Sequence, residues 1–192
     1  MKTIDCNQDA MAGFAAPYGS ASVLDVCCGS RAMWFNRADP RAVYLDKRKE
    51  QCTINTGQGN PYTIEVNPDM VGDFTALPFP AESFWHVVFD PPHHTSKHLC
   101  GEVTSNTQKY YGVLLPGWEE MLAQGFSECF RVLKPNGTLV FKWGSREIPL
   151  EKILSLTPHK PLYGHKSGKK STTHWIAFLK PNVPVSDGAN VI

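Results

Sequence analysis

The sequence predicts an α/β fold built on a mainly parallel sheet. Short apolar runs recur along the chain, and four of them end at or beside an aspartate: Asp25, Asp46, Asp73 and Asp90. One long stretch, residues 116–133, has clear helical periodicity. Strands that alternate with helices pair in parallel through right-handed crossovers.

The first strand is Ser22-Val23-Leu24-Asp25-Val26, which breaks into a turn of small residues at Cys27-Cys28-Gly29-Ser30. Arg41–Asp46 is the second strand, with its carboxylate at the carboxyl end. Cys52–Asn55 and Tyr62–Val66 flank Thr56-Gly57-Gln58-Gly59-Asn60-Pro61 and read as an inserted β-hairpin. Met70–Asp73 is a short third parallel strand and Phe84–Asp90 a stronger fourth. In 116–133, Trp118, Met121, Leu122, Phe126, Cys129, Phe130 and Leu133 share one helical face. Pro116 suits the first turn of this helix, and Pro135-Asn136-Gly137 is expected to stop it. Thr138–Trp143 is then a strand, Leu150–Leu156 a short helix, and Pro161–Gly164 and Thr173–Leu179 the last two strands. Trp34, Phe35 and Trp85 are expected in the core.

A chain of 192 residues suits one domain, expected over residues 1–180, with a loose Pro/Gly/Ser/Asn-rich tail at 181–192. With 42% hydrophobic and 19% charged residues the composition is ordinary for a globular protein. A formal net charge of +1 carries no global signal for nucleic acid, so any such signal is local. No run approaches the roughly 18 apolar residues of a membrane span. Met1–Ser22 lacks the basic flank and apolar run of a signal peptide. The six cysteines, Cys6, Cys27, Cys28, Cys52, Cys100 and Cys129, form no CxxC pair or disulfide ladder. They are expected as reduced thiols in a cytoplasmic protein. His93, His94, His98 and Cys100 match no standard zinc spacing, and no metal is expected.

In open α/β sheets ligands bind beyond the carboxyl ends of the strands, near the switch in strand order. The aspartates and the small-residue turn fall there. The turn allows close approach of a ligand to the backbone. Asp46 lies 21 positions after Asp25, near the ~20-residue offset at which an acidic residue meets a ribose diol in nucleotide-binding folds. Asp73-Phe74 offers an acceptor and a ring to an adenine.

These segments resemble the class I S-adenosylmethionine-dependent methyltransferases. Val23–Ser30 is similar to their first motif, Asp46 to their second acidic motif, and Gly72-Asp73-Phe74 with Leu77-Pro78-Phe79 to their adenine-contacting segment. Arg131–Leu139 resembles their helix-to-strand passage. Family glycines are replaced by Cys27 and Arg31, which leaves Gly29 alone in the turn. The resemblance covers roughly residues 20–180. It implies a Rossmann-like, seven-stranded, mostly parallel sheet with the last strand antiparallel, plus the hairpin insertion. It also implies S-adenosyl-L-methionine as cofactor, held by Asp25, Cys27, Cys28, Gly29, Ser30, Asp46, Asp73, Phe74 and Asp90.

Asp90-Pro91-Pro92-His93 resembles the Asp-Pro-Pro-aromatic motif of enzymes that methylate amino nitrogens, N6 of adenine above all. The lone pair of an exocyclic amine is delocalised into its ring. Accepting its two protons at the Asp90 carboxylate and the Pro91 carbonyl favours the pyramidal, nucleophilic nitrogen. Pro91 and Pro92 pre-set the backbone, and His93 stands where the family stacks an aromatic ring on the base. Catalysis then rests on positioning and electrostatics. Residues 93–115 suit a substrate-covering loop, with His94, Lys97, His98, Lys109, Tyr110 and Tyr111 as contacts. Lys160, Lys166, Lys169 and Lys170 offer a local footprint for DNA or RNA phosphates. The chain resembles the short stand-alone methyltransferases of phage and prophage genomes, in which a recognition partner can supply specificity. A small-molecule or protein methyltransferase and a non-catalytic binder on the same fold are the alternatives.

Overall fold

The computed structural model describes residues 21–54, 59–95, 112–168 and 171–182. Lys97, His98, Cys100, Lys109, Tyr110 and Tyr111 lie outside them, as do Cys6, Lys169, Lys170 and residues 183–192 of the tail.

Seven strands form the main sheet: β1 (Val23–Asp25), β2 (Ala42–Asp46), β5 (Met70–Val71), β6 (Phe84–Phe89), β7 (Leu133–Gly144), β8 (Tyr163–Lys166) and β9 (Thr173–Leu179). Their order is β5-β2-β1-β6-β7-β9-β8. β9 runs antiparallel to both its neighbours, and the other pairings are parallel. β3 (Glu50–Ile54) and β4 (Tyr62–Val66) form the separate antiparallel hairpin. This is the α/β, Rossmann-like methyltransferase arrangement that the resemblance implies.

β1 is central because both its faces can be buried. Leu24 pairs with Val43 on one side and Val87 on the other, and all three are fully inaccessible. Parallel strands covered on both faces read as unbroken apolar runs, which is why these were visible in the sequence. The order turns outward in opposite directions from β1 and β6, so the switch point lies between their carboxyl ends.

Among the described residues, helices are fewer than alternation suggests, and the β1-to-β2 connection is made of turns. The helices described are α1 (Trp118–Val132) after β6 and α2 (Leu150–Leu154) after β7. α1 lays Leu122, Phe126 and Phe130 on the sheet, where Phe126 meets Phe89 and Phe141 at centroid distances of 5.4 and 4.9 Å. It begins two residues after Pro116, because Gly117 takes a left-handed cap conformation (φ 87°). The helix stops before Pro135-Asn136-Gly137, as expected, but these residues do not leave regular structure. The helix ends at Val132 and the chain passes directly into β7, with these residues as a bulge: Phe84 pairs with Leu133, but His86 with Thr138. Asn136 adopts φ 60°, and Lys180 secures the bulge by donating from Nζ to the Leu133 carbonyl (2.6 Å).

Two core expectations fail. Phe35 is fully exposed in the turns after β1, and Trp85 is 56% exposed. Trp85 sits beside the bulge with Lys134 Nζ 5.4 Å from its ring centroid. Trp34 is half-buried and packs edge-on against Tyr44. β8 lies two residues later than expected. It is an exposed edge strand whose register is set by β9, so no buried face imprints it on the sequence.

Candidate active site

A cavity of about 500 Å³ opens at the switch point, within the ~300–1,000 Å³ range of small-ligand sites. Cys27, Cys28, Gly29 and Ser30 form one wall, Asp46 and Asp73-Phe74 a second, and Asp90 with Pro92 a third.

The turn is anchored between strands: Val26 N–H donates to the Val88 carbonyl and Cys28 N–H to that of Leu45. Gly29 has φ 49° and donates its N–H to Asp46 Oδ2 (2.8 Å). Arg31 adopts the left-handed conformation (φ 56°) at a cost of about 1–2 kcal/mol. Its guanidinium offsets this by lying 3.8 Å from the Tyr44 ring centroid and bonding Asp69 Oδ1 (2.8 Å) and the Asn67 carbonyl (2.9 Å).

Asp25 does not line the cavity. It is fully buried, accepts from Trp34 Nε1 (2.7 Å) and the Cys27 N–H (3.3 Å), and so ties the turn to the loop beyond it. Burial pushes its carboxyl up to about 7, with the two hydrogen bonds pulling down and Asp90 and Asp46 pushing further up. Burial also raises the thiols of Cys27 and Cys28, which suits packing rather than nucleophilic roles.

The three cavity carboxylates each meet a cation. Arg48 bonds Asp46 Oδ1 through Nε (3.3 Å), Lys47 reaches Asp73 Oδ2 (3.1 Å), and Lys142 reaches Asp90 Oδ2 (2.6 Å). Burial pushes Asp73 up, but hydrogen bonds from Thr75 and Lys47 outweigh it and hold the carboxyl low. For Asp90 burial wins over Lys142, and its carboxyl is raised. Asp90 Oδ1 is buried with no hydrogen-bond partner among the described residues. Phe74 lines the cavity while its ring packs on Phe89 at 5.2 Å.

Beyond Asp90 the motif is held from behind. Pro91 is buried. His93 does not line the cavity, so the stacking position expected of it is not where its ring lies. The ring packs 6.0 Å from Trp143 and against Gly144, where an added Cβ would fall 2.6 Å from His93 Cδ2. Burial, then His94 and Lys142, lower its pKa to about 4, against the Pro91 backbone and Glu147. His94 bonds Glu147 Oε1 (2.9 Å), and Glu147 Oε2 accepts from both the N–H and the hydroxyl of Thr95 (2.7 Å each). Burial raises the Glu147 carboxyl, but these bonds outweigh it and hold it at about 2. Thr95 bridges in parallel to Leu114, whose N–H donates to the His94 carbonyl (2.7 Å). Thr95 and Leu114 are thereby held side by side.

The structure thus gathers Cys27, Cys28, Gly29, Ser30, Asp46, Asp73, Phe74, Asp90 and Pro92 around one cavity. Asp25, Pro91, His93 and His94 stand behind it. Lys142, Arg48, Met33, Met121 and Leu115 also line it and were not singled out in the sequence. Lys142 had one signal: it falls near the carboxyl end of a predicted strand, where the other site residues lie.

No protein-family model matches the sequence, nor does any curated protein. Solved structures do. The PH0226 protein of Pyrococcus horikoshii OT3 aligns with a TM-score of 0.51 at 16% identity, over 83% of this chain and 81% of that one. A SAM-dependent methyltransferase from Leishmania major aligns at 0.47 and 12% identity, over 89% and 70%. Another from Methanosarcina mazei aligns at 0.45 and 14%, over 83% and 92%. At these identities the likeness is one of fold.

Proposed function

We propose that the chain is an S-adenosylmethionine-dependent methyltransferase that acts on an exocyclic amino nitrogen of a nucleic-acid base, of the N6-adenine type. The observation that carries this reading is the unpartnered, buried Oδ1 of Asp90 in the wall of a cavity at the switch point. A buried acceptor without a donor is costly, and a substrate N–H satisfies it.

The cavity's donor set fits the cofactor. Asp46 presents a carboxylate suited to a ribose diol, and the backbone at Gly29 has open space beside it. Asp73 offers an acceptor to an adenine amine, and Phe74 a ring to its face. When bound, the cofactor would supply an electrophilic methyl carbon on a sulfonium, with a neutral thioether as its leaving group. Asp90 Oδ1 accepts one N–H of the substrate amine, while Pro91, buried behind the cavity with its backbone bonded to His93, takes no part in holding the second. The cation that forms on nitrogen is favoured by the Asp90 charge, and its surplus proton is taken up by the Asp90 carboxylate. Exposed Lys160, His165 and Lys166, at and near the sheet edge, offer charge to a phosphate backbone.

The test is transfer of a tritiated methyl group to DNA and RNA, followed by mass spectrometry of the nucleosides. Label in a methylated amino-nucleoside is expected, with Asp90→Ala slower by roughly 10²-fold or more. Label confined to a metabolite or protein fraction would overturn the assignment of substrate.

A further inference from the structure

Lys142 and Asp90 come from adjacent strand ends. Val88 pairs with Val140 and Phe89 with Phe141, so Asp90 follows at the level of Lys142. Lys142 pairs in turn with Trp175 on β9. Residues in register on neighbouring strands share a face of the sheet, so Asp90, Lys142 and Trp175 form one cross-strand row. Lys142 Nζ lies 2.6 Å from Asp90 Oδ2 and 5.6 Å from the Trp175 ring centroid, and Trp175 Nε1 donates to Ser167 Oγ (3.1 Å). The Lys142 side chain is 18% exposed and that of Asp90 10%. A lysine on a flexible stem is thus confined between a carboxylate and a ring that is itself tethered.

We propose that Lys142, confined by Trp175, is a positioning residue that occupies Asp90 Oδ2 and so turns Oδ1 toward the substrate nitrogen as a single, ionised acceptor. The inference rests on the methyl-transfer reading of the site. It explains why one carboxylate oxygen is satisfied while its twin is not. A free carboxylate rotates between equivalent acceptors, whereas a carboxylate pinned at one oxygen presents the other in a fixed direction. The ammonium also opposes the burial that favours the neutral acid, which would present a hydroxyl to the substrate instead of a lone pair. Among the described residues, the other charged or titratable groups that interact with Asp90 are Asp25 and Cys27, from β1 and its turn. His93, on the strand's own exit, senses Lys142. Ionised Asp90 pushes the Asp25 carboxyl up, and Lys142 is the group that favours ionisation of Asp90 against its burial.

The experiment titrates the aspartate side-chain carboxyl carbons by NMR, with the Asp90 resonance assigned through D90N. In K142M the Asp90 midpoint is expected to rise by roughly one to three pH units. K142R, which keeps the charge, should hold the wild-type midpoint. The acidic limb of kcat/KM for methyl transfer is expected to move with it. If K142M fails to fold, K142Q is read in its place. An unchanged Asp90 midpoint on loss of the charge overturns the proposal, whatever the activity. A wild-type protein that methylates no nucleic acid but shows the midpoint rise overturns only the substrate reading.

Discussion

Asp25 and Asp90 stand on neighbouring strands of the same sheet and meet burial in different ways. Asp90 has a cation at 2.6 Å, while Asp25 has only the neutral donors Trp34 Nε1 and the Cys27 N–H. Asp25 therefore ionises only near pH 7, against about 4 in an unfolded chain. Between those values the folded protein binds the extra proton, so the contribution of this group to stability is complete below the lower value and is lost as pH rises through the higher one. Asp25→Asn, which cannot ionise, should gain in melting temperature relative to wild type as pH is raised from 4 to 7, and then hold a constant difference. A difference that stays flat across that window would show that the buried carboxyl ionises normally. At this scale the sequence was least legible. Asp25 and Asp46 both end strands and look alike there, yet one is a buried strut and the other a cavity wall. Glu147 and Lys142 act on residues 52 or more positions away, a pairing that only the folded sheet creates.

At the scale of elements, legibility followed burial. β1, β2 and β6 are covered on both faces and wrote apolar runs that set their position. β8 touches only β9, and its placement slipped by two residues. Phe35 and Trp85 were misjudged because an aromatic side chain carries no label for the face it takes. Trp85 lies next to the β6–β7 bulge and finds Lys134 instead of a core. Gly125 of α1 gave no signal, since an isolated glycine in a helical pattern reads only as a mild cost. The structure supplies its reason. A Cβ there would fall 2.6 Å from Phe74 Cδ2 and 2.9 Å from Phe89 Cζ, so the glycine lets the helix close over the ring beside the cavity. Gly125→Ala is expected to destabilise the fold by about 1–3 kcal/mol, read from chemical denaturation, despite alanine's better helix propensity. A stabilised variant would mean that Phe74 yields at no cost.

For the molecule as a whole, the cavity lies between β1, β2 and β6, the strands on either side of the switch, and a ligand bound there ties their carboxyl ends together. Binding to the folded chain alone stabilises it by mass action, about 2.7 kcal/mol at a hundredfold excess over Kd. S-adenosylhomocysteine should therefore raise the melting temperature of the wild-type protein. Asp46→Ala should lose most of that rise at the same ligand concentration, judged against its own ligand-free baseline. A full rise in the variant would remove Asp46 from the cofactor site. The two halves of the sheet differ in how their ion pairs would yield to such a ligand. Lys47 is 76% exposed and can leave Asp73 at little cost, whereas the shielded Lys142 holds Asp90 more firmly.

The parallel bridge between Thr95 and Leu114, fastened by Glu147, carries an evolutionary consequence. Because Thr95, His94, Leu114 and Glu147 are bonded to one another, both residues that flank the connection are held by the fold itself. Doubling a connection costs only ~0.6 kcal/mol of closure entropy. Descendants of this chain can therefore vary the length of that connection at little cost to the fold.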